Sequence, residues 1–184
     1  MRIHMIGAGA MGGVFGGLLH RSGVDVTLID PRVDHIEKIR AEGLQIEGVR
    51  GNFLVRIPAQ ATGAGLPKCD LAIIFTDANT TRDAARAAQT LLSANGFALT
   101  LQNGIGNVEA LVAELGEQRV VAGVSMNSAA NPAPGRVAYT NSGMTSLGEL
   151  DGRDSTRVKE IAELLNRAEI PTEIVADPMA WVWS

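Results

Sequence analysis

Residues 7–12 read Gly-Ala-Gly-Ala-Met-Gly, directly after the short apolar run Arg2-Ile3-His4-Met5-Ile6 and directly before a stretch with helical spacing. A lone Gly-x-Gly-x-x-Gly says little. Between a strand and a helix it has a mechanism. Gly7 permits the tight turn, Gly9 lets a pyrophosphate sit against the backbone, and Gly12 lets the helix pack close to the strand. The unpaired N–H groups of the helix start then face the phosphates. With Ala8, Ala10 and Met11 between them, these glycines are the expected dinucleotide-binding loop.

The rest of the chain supports that context. Strands are expected at residues 2–6, 25–30, 70–75 and 97–101, and helices at 11–21, 33–41, 81–93 and 108–115. Residues 44–47 and 53–57, around Gly48 and Gly51, read as a hairpin or an irregular third strand. Alternating strands and helices imply a Rossmann-type doubly wound α/β sheet, mostly parallel and covered on both faces. From Arg119 the pattern becomes β-rich, with strands at 120–126, 136–140, 145–147 and 172–175 and a helix at 156–167. Asp177-Pro178 reads as a fresh helix start. Residues 1–176 are accordingly expected to form the NAD(P)-binding domain, and 177–184 the start of another domain.

Composition narrows the function class. A formal net charge of −4, without a basic run, argues against nucleic acid as the main partner. Apolar runs such as residues 71–75 are too short to cross a bilayer, and the amino terminus has no secretory pattern. One cysteine excludes an intrachain disulfide, and three scattered histidines give no metal-ligand spacing. A soluble cytoplasmic protein without a metal site is expected.

Three positions stand out beyond the glycine loop. Asp30 lies 23 residues after Gly7 (30 − 7), at the end of the second strand. There a carboxylate can accept hydrogen bonds from the adenosine ribose, which favours NAD. Arg32, two residues on, can instead hold a 2′-phosphate, which favours NADP; the residues leave both forms open. Asn103, in Leu101-Gln102-Asn103-Gly104, follows a strand end where open α/β sheets bind ligands, although an Asn-Gly pair is also common turn punctuation. Cys69 reads as a packed thiol and His4 as a satisfied core or edge histidine.

Taken together, the glycine loop, Gln102-Asn103-Gly104, the Gly148-Glu149 turn and the apolar helix entry Trp181-Val182-Trp183 resemble the N-terminal half of the ketopantoate reductase family. The resemblance implies an NAD(P)H-dependent reductase of a small 2-oxo acid, converting 2-dehydropantoate to pantoate for pantothenate biosynthesis. It implies that Asn103 orients substrate and nicotinamide, and that Thr76 and Ala129 touch the cofactor. In the family a lysine stands shortly after the fourth strand, where this chain has Asp77. The proton-donating lysine is expected just beyond Ser184, with a helical second domain after it. This chain alone is thus expected to bind the cofactor yet turn over poorly, and to form a homodimer or belong to a longer protein through Trp181 and Trp183. Another hydroxy-acid dehydrogenase of similar architecture, or a non-catalytic dinucleotide-binding or sensing module, are the other readings.

Overall fold

The computed structural model describes the backbone of residues 1–182 and the side-chain surroundings of residues 1–180. The expected packing of Trp181 and Trp183 lies outside the described side chains. The main sheet opens with β1 (Arg2–Ile6) and β2 (Asp25–Ile29), joined by helix α1 (Ala10–Arg21). It continues with β5 (Ala59–Gln60), β6 (Cys69–Ile74), β7 (Leu92–Thr100) and β8 (Val120–Ser125). Strands β11 (Thr145–Glu149) and β12 (Thr172–Ile174) complete eight, in the order β12-β11-β8-β7-β6-β1-β2-β5. From β5 to β8 this is the 3-2-1-4-5-6 order of doubly wound dinucleotide-binding sheets. All its pairings are parallel except β11 with β8. Residues buried on both faces of β1, β2 and β6 explain their continuous apolar runs.

Helix α2 (Val33–Glu42) leads from β2, and α3 (Thr81–Leu91) and α4 (Asn107–Leu115) precede β7 and β8. Near the end come α5 (Thr156–Arg167) and α6 (Pro178–Val182). The aliphatic face of α3, with Ala84, Ala85, Ala88 and Leu91 buried, packs with α4 on one side of the sheet.

A second sheet departs from the sequence expectation. The hairpin of β3 (Leu44–Gly48) and β4 (Phe53–Val55) does not extend the main sheet. Strand β3 pairs in parallel with β10 (Arg136–Asn141), and β10 pairs antiparallel with β9 (Ser128–Ala133), giving the order β4-β3-β10-β9. Strand β9, with its Pro132, was not expected, and neither was the two-residue β5. The β-rich region after Arg119 therefore splits between two sheets.

Helix α1 lies between them, and its glycines make that possible. A Cβ on Gly16 would come within 2.5 Å of Leu28 Cδ2 on the main sheet. On the other side, a Cβ on Gly13 would meet Val137 Cγ1 at 2.8 Å and one on Gly17 would meet Ile46 Cδ1 at 2.5 Å. Helix-interior glycine costs roughly 1 kcal/mol relative to alanine. Here that cost is offset by close packing around Phe15, Leu18 and Leu19, all buried.

Candidate functional site

The site is built at the carboxyl ends of β1, β2 and β6. Gly7 ends β1 with φ +92°, a conformation that favours glycine, and a Cβ there would lie 2.4 Å from the Phe75 carbonyl oxygen. A Cβ on Gly12 would lie 1.8 Å from the Gly7 carbonyl oxygen, so the loop closes only on glycine. Gly9 differs. Among the described residues, the only atom near its Cβ position is Arg32 Nη2, at 3.6 Å, and the space it faces is otherwise open. Gly9 caps α1 without a side-chain bond, and the first turn carries no acid. The amino end of α1, with its positive dipole end, therefore faces a cleft rather than protein.

That cleft, about 400 Å³, is lined by Gly7, Gly9, Ala10, Asp30, Pro31, Arg32, Phe75, Thr76, Asp77 and Thr80. Asp30 is nearly buried and does not stand alone. Its Oδ1 accepts from the Arg32 backbone N–H and from Arg32 Nε, each at 3.0 Å, and its Oδ2 has a longer contact with Nη2 at 3.4 Å. Arg32 Nη1 donates across to Asn131 Oδ1 on β9 at 2.6 Å. This end of the cleft therefore presents a bridged acid–base pair.

A second cleft of about 390 Å³ continues from the first, sharing Gly9, Ala10, Phe75, Thr76 and Asp77. Asn103 is exposed on its wall, next to Gln102 and Asn107, with Ser125 and Asn127 opposite. A buried polar network holds this loop. Gln102 donates to the Thr76 carbonyl and to Thr81 Oγ1, and its own carbonyl accepts from Thr100 Oγ1 at 2.9 Å. Thr81 Oγ1 donates to Asn107 Oδ1 at 2.8 Å, and Asn107 Nδ2 returns to the Asn103 carbonyl at 3.0 Å. The Asn103 amide is left to face the cleft. The Thr76 hydroxyl is buried without a partner among the described residues. Asn127 is fixed by Ser125, Thr145, Tyr139 and the Gly143 N–H.

His35 braces the glycine loop, and Glu149 ties β11 to the start of α5. His35 Nδ1 accepts from the Gly135 N–H at 3.0 Å, which makes Nε2 the donor to the Ala8 carbonyl at 2.9 Å. Burial, then the charge of Arg32, push its pKa down against the Ala8 bond and the charges of Asp30 and Asp34. Glu149 is buried and held by Arg157 and Ser155. Burial raises its pKa, but the hydrogen bonds from Arg157 and Ser155 and the charges of Arg157 and Arg153 outweigh that and leave it below the ordinary carboxylate value.

Gly7, Ala8, Gly9, Ala10, Met11 and Gly12 share one loop and helix start. Asp30, Arg32 and Thr76 join it around the first cleft, and Asn103 sits on the second. Ala129 is half-buried on β9, packed against the main core, and lines neither cleft. Gly148-Glu149 is not a turn: both residues lie buried in β11, where a Cβ on Gly148 would meet the Val175 carbonyl at 2.2 Å. His4 is core, but neither ring nitrogen has a hydrogen-bond partner among the described residues, so it is not the satisfied histidine expected. Burial first, and Arg2 second, hold its pKa down, while Asp25 opposes them. Cys69 is buried, and burial pushes its thiol up to about 11. Sequence reasoning missed His35, Asn107, Asn127 and Asn131. The paired glycines at 12–13 and 16–17 were the available signal for a second sheet bringing β9 to this site.

A family model described as ketopantoate reductase PanE/ApbA matches residues 3–152. The 2-dehydropantoate 2-reductase of Pyrococcus horikoshii is 39% identical over all 184 residues, which cover 59% of that relative's length. Among solved structures, 2-dehydropantoate 2-reductase from Geobacter metallireducens superposes with a TM-score of 0.89 at 30% identity, over 96% of this chain and 58% of that one. D-mandelate dehydrogenase, in its ternary structure with NADH and anilino(oxo)acetate, gives a TM-score of 0.91 at 28% identity, over 99% of this chain and 59% of that one.

Proposed function

The chain belongs to the ketopantoate reductase PanE/ApbA family, and from that premise we propose that it is the dinucleotide-binding part of an NAD(P)H-dependent reductase of 2-oxo acids, with 2-dehydropantoate as substrate. It spans 59% of the length of its curated relative, so the full reaction is assigned to the longer architecture. The observation that carries the reading is Gly9. At Gly7 and Gly12 a Cβ would collide with backbone, whereas at Gly9 it would enter the open space of the cleft at the amino end of α1. That is where a pyrophosphate fits.

Residues 7–12 would hold the pyrophosphate, Asp30 and Arg32 the adenosine ribose or its 2′-phosphate, and Thr76 and Asn103 the nicotinamide end. When bound, the cofactor supplies hydride to the carbonyl carbon of the 2-oxo acid. Asn103 orients the substrate oxygen and the carboxamide, with its backbone held by Asn107. The Thr76 hydroxyl gains a partner by turning toward a bound ligand. The proton donor is assigned to the lysine expected just beyond Ser184. Residues 1–176 would constitute this unit and 177–184 the entry to the next. No helix among the described residues is long and apolar enough to cross a membrane. From its membership of a family of biosynthetic reductases we assign the protein to the cytoplasm, as a homodimer.

A second reading has its own support. D-mandelate dehydrogenase, a structure described with NADH, is as similar in shape as the ketopantoate reductases. Asp77, at the position where the resemblance leads one to expect lysine, lines both clefts. A reductase of a different 2-oxo acid is the alternative that this charge reversal favours.

Calorimetric titration with NADH and NADPH tests the binding half. Wild type is expected to bind at least one of them. Gly9→Val is expected to keep the circular dichroism spectrum and lose that binding. A folded Gly9→Val protein with wild-type affinity would refute the site.

A further inference from the structure

We propose that Asn131, on the second sheet, is a positioning residue that sets the choice between NADH and NADPH by holding Arg32 in its pair with Asp30. The inference rests on the dinucleotide reading above. It starts from a continuous set of contacts joining the two sheets. Arg32 has five N–H donors. Nε and one N–H of Nη2 go to Asp30, and one N–H of Nη1 goes to Asn131 Oδ1 at 2.6 Å. Asn131 cannot swing freely to meet it. Its Nδ2 donates to the Arg136 carbonyl at 2.7 Å and to the Ala133 carbonyl at 3.3 Å. Flipping the amide would set its oxygen against those two carbonyl oxygens. The acceptor facing Arg32 is therefore fixed by the β9–β10 hairpin.

The consequence falls on the carboxylate. Oδ1 of Asp30 is taken by two Arg32 donors at 3.0 Å, whereas Oδ2 has only the 3.4 Å contact. Oδ2 keeps acceptor capacity toward the cleft, which suits a ribose hydroxyl. A 2′-phosphate brings negative charge and no comparable donor, so it meets a carboxylate whose counter-charge is already engaged. Asn131 keeps Arg32 in that arrangement. Releasing it lets the guanidinium leave Asp30 and take the phosphate with two N–H groups, the geometry in which arginine binds phosphate best. Wild type is thereby set toward NADH.

The test measures dissociation constants of NADH and NADPH for the 184-residue chain and its variants. Asn131→Ala is expected to shift the ratio toward NADPH by about tenfold, equivalent to ~1.4 kcal/mol. Asn131→Asp loses the bonds to the Arg136 and Ala133 carbonyls but pairs its charge with Arg32, and is expected not to shift toward NADPH. ADP-ribose and its 2′-phosphate are expected to show the same shift, which places the effect at the adenosine end. A merely structural role for Asn131 would weaken both cofactors alike. If Asn131→Ala melts below assay temperature, Asn131→Thr, suited to a strand but too short to reach Arg32, carries the same expectation. An unchanged ratio in a folded Asn131→Ala or Asn131→Thr protein overturns the proposal. Failure of wild type to bind either dinucleotide is a separate result, which overturns the functional reading beneath it.

Discussion

Asp30 and Arg32 look like rivals in the sequence, each suited to a different cofactor, yet they meet as an ion pair with the acid nearly buried and the base half-exposed. The pair decides what truncating either residue does. Asp30→Ala removes the proposed acceptor for a ribose hydroxyl and frees Arg32 at once. Its NADPH affinity is expected to rise relative to NADH, by about tenfold per ~1.4 kcal/mol gained; competition of the two cofactors in one titration reads this directly. A wild type that already prefers NADPH strongly would show that Arg32 governs the site. The glycines of the loop were legible because their constraint is local. Gly12 is shaped by Gly7, five residues before it, and Gly7 by the positive φ of its own turn. Asn131 and His35 were not, because their partners lie 99 and 100 residues away and no local pattern announces such a contact.

Helix α1 serves two sheets, and α2 fastens the loop at its head. The strand–helix alternation made β1, α1, β2, β6 and β7 readable from periodicity alone. It could not reveal that β3 leaves the main sheet, since a half-buried hairpin has the same pattern wherever it pairs. His35 on α2 is the tie between loop and hairpin, and it works only as neutral imidazole, because protonation removes the acceptor that Gly135 requires. Its folded pKa lies below the ordinary 6.5. The unfolded chain therefore takes up the proton first, and stability is full above about 6.5 and lost as pH falls through the folded value. His4, also lowered, acts in the same direction. Melting temperature is expected to fall as the pH drops below about 6.5, well above the range where Glu149 titrates. His35→Gln is expected to melt lower at neutral pH but with a flatter dependence. An equally steep profile in His35→Gln would leave His35 without this role.

At the scale of the molecule, the described residues make two adjoining clefts, and the polar side chains lining the second are amides and hydroxyls, with Asp77 the one acid. The 184-residue chain is accordingly expected to bind dinucleotide yet reduce ketopantoate far below enzymatic rates, and appending the C-terminal part of a full-length relative is expected to restore turnover. Steady-state rates of the two proteins, with mutation of the first lysine after residue 184 as control, measure this. Enzymatic rates from the short chain would require a proton donor among its own residues. The parallel pairing of β3 with β10, Gln45 opposite Arg136, has a consequence of another kind. Such a ladder closes a very long loop, so its entropy is lost before its contacts form. The Gly13 and Gly17 face of α1 lacks its cover until then, and so does the arginine wall of the cleft. Cleft assembly and completion of the fold are thus one cooperative event, and a saturating dinucleotide is expected to stabilise the domain as a whole, including strands it never touches.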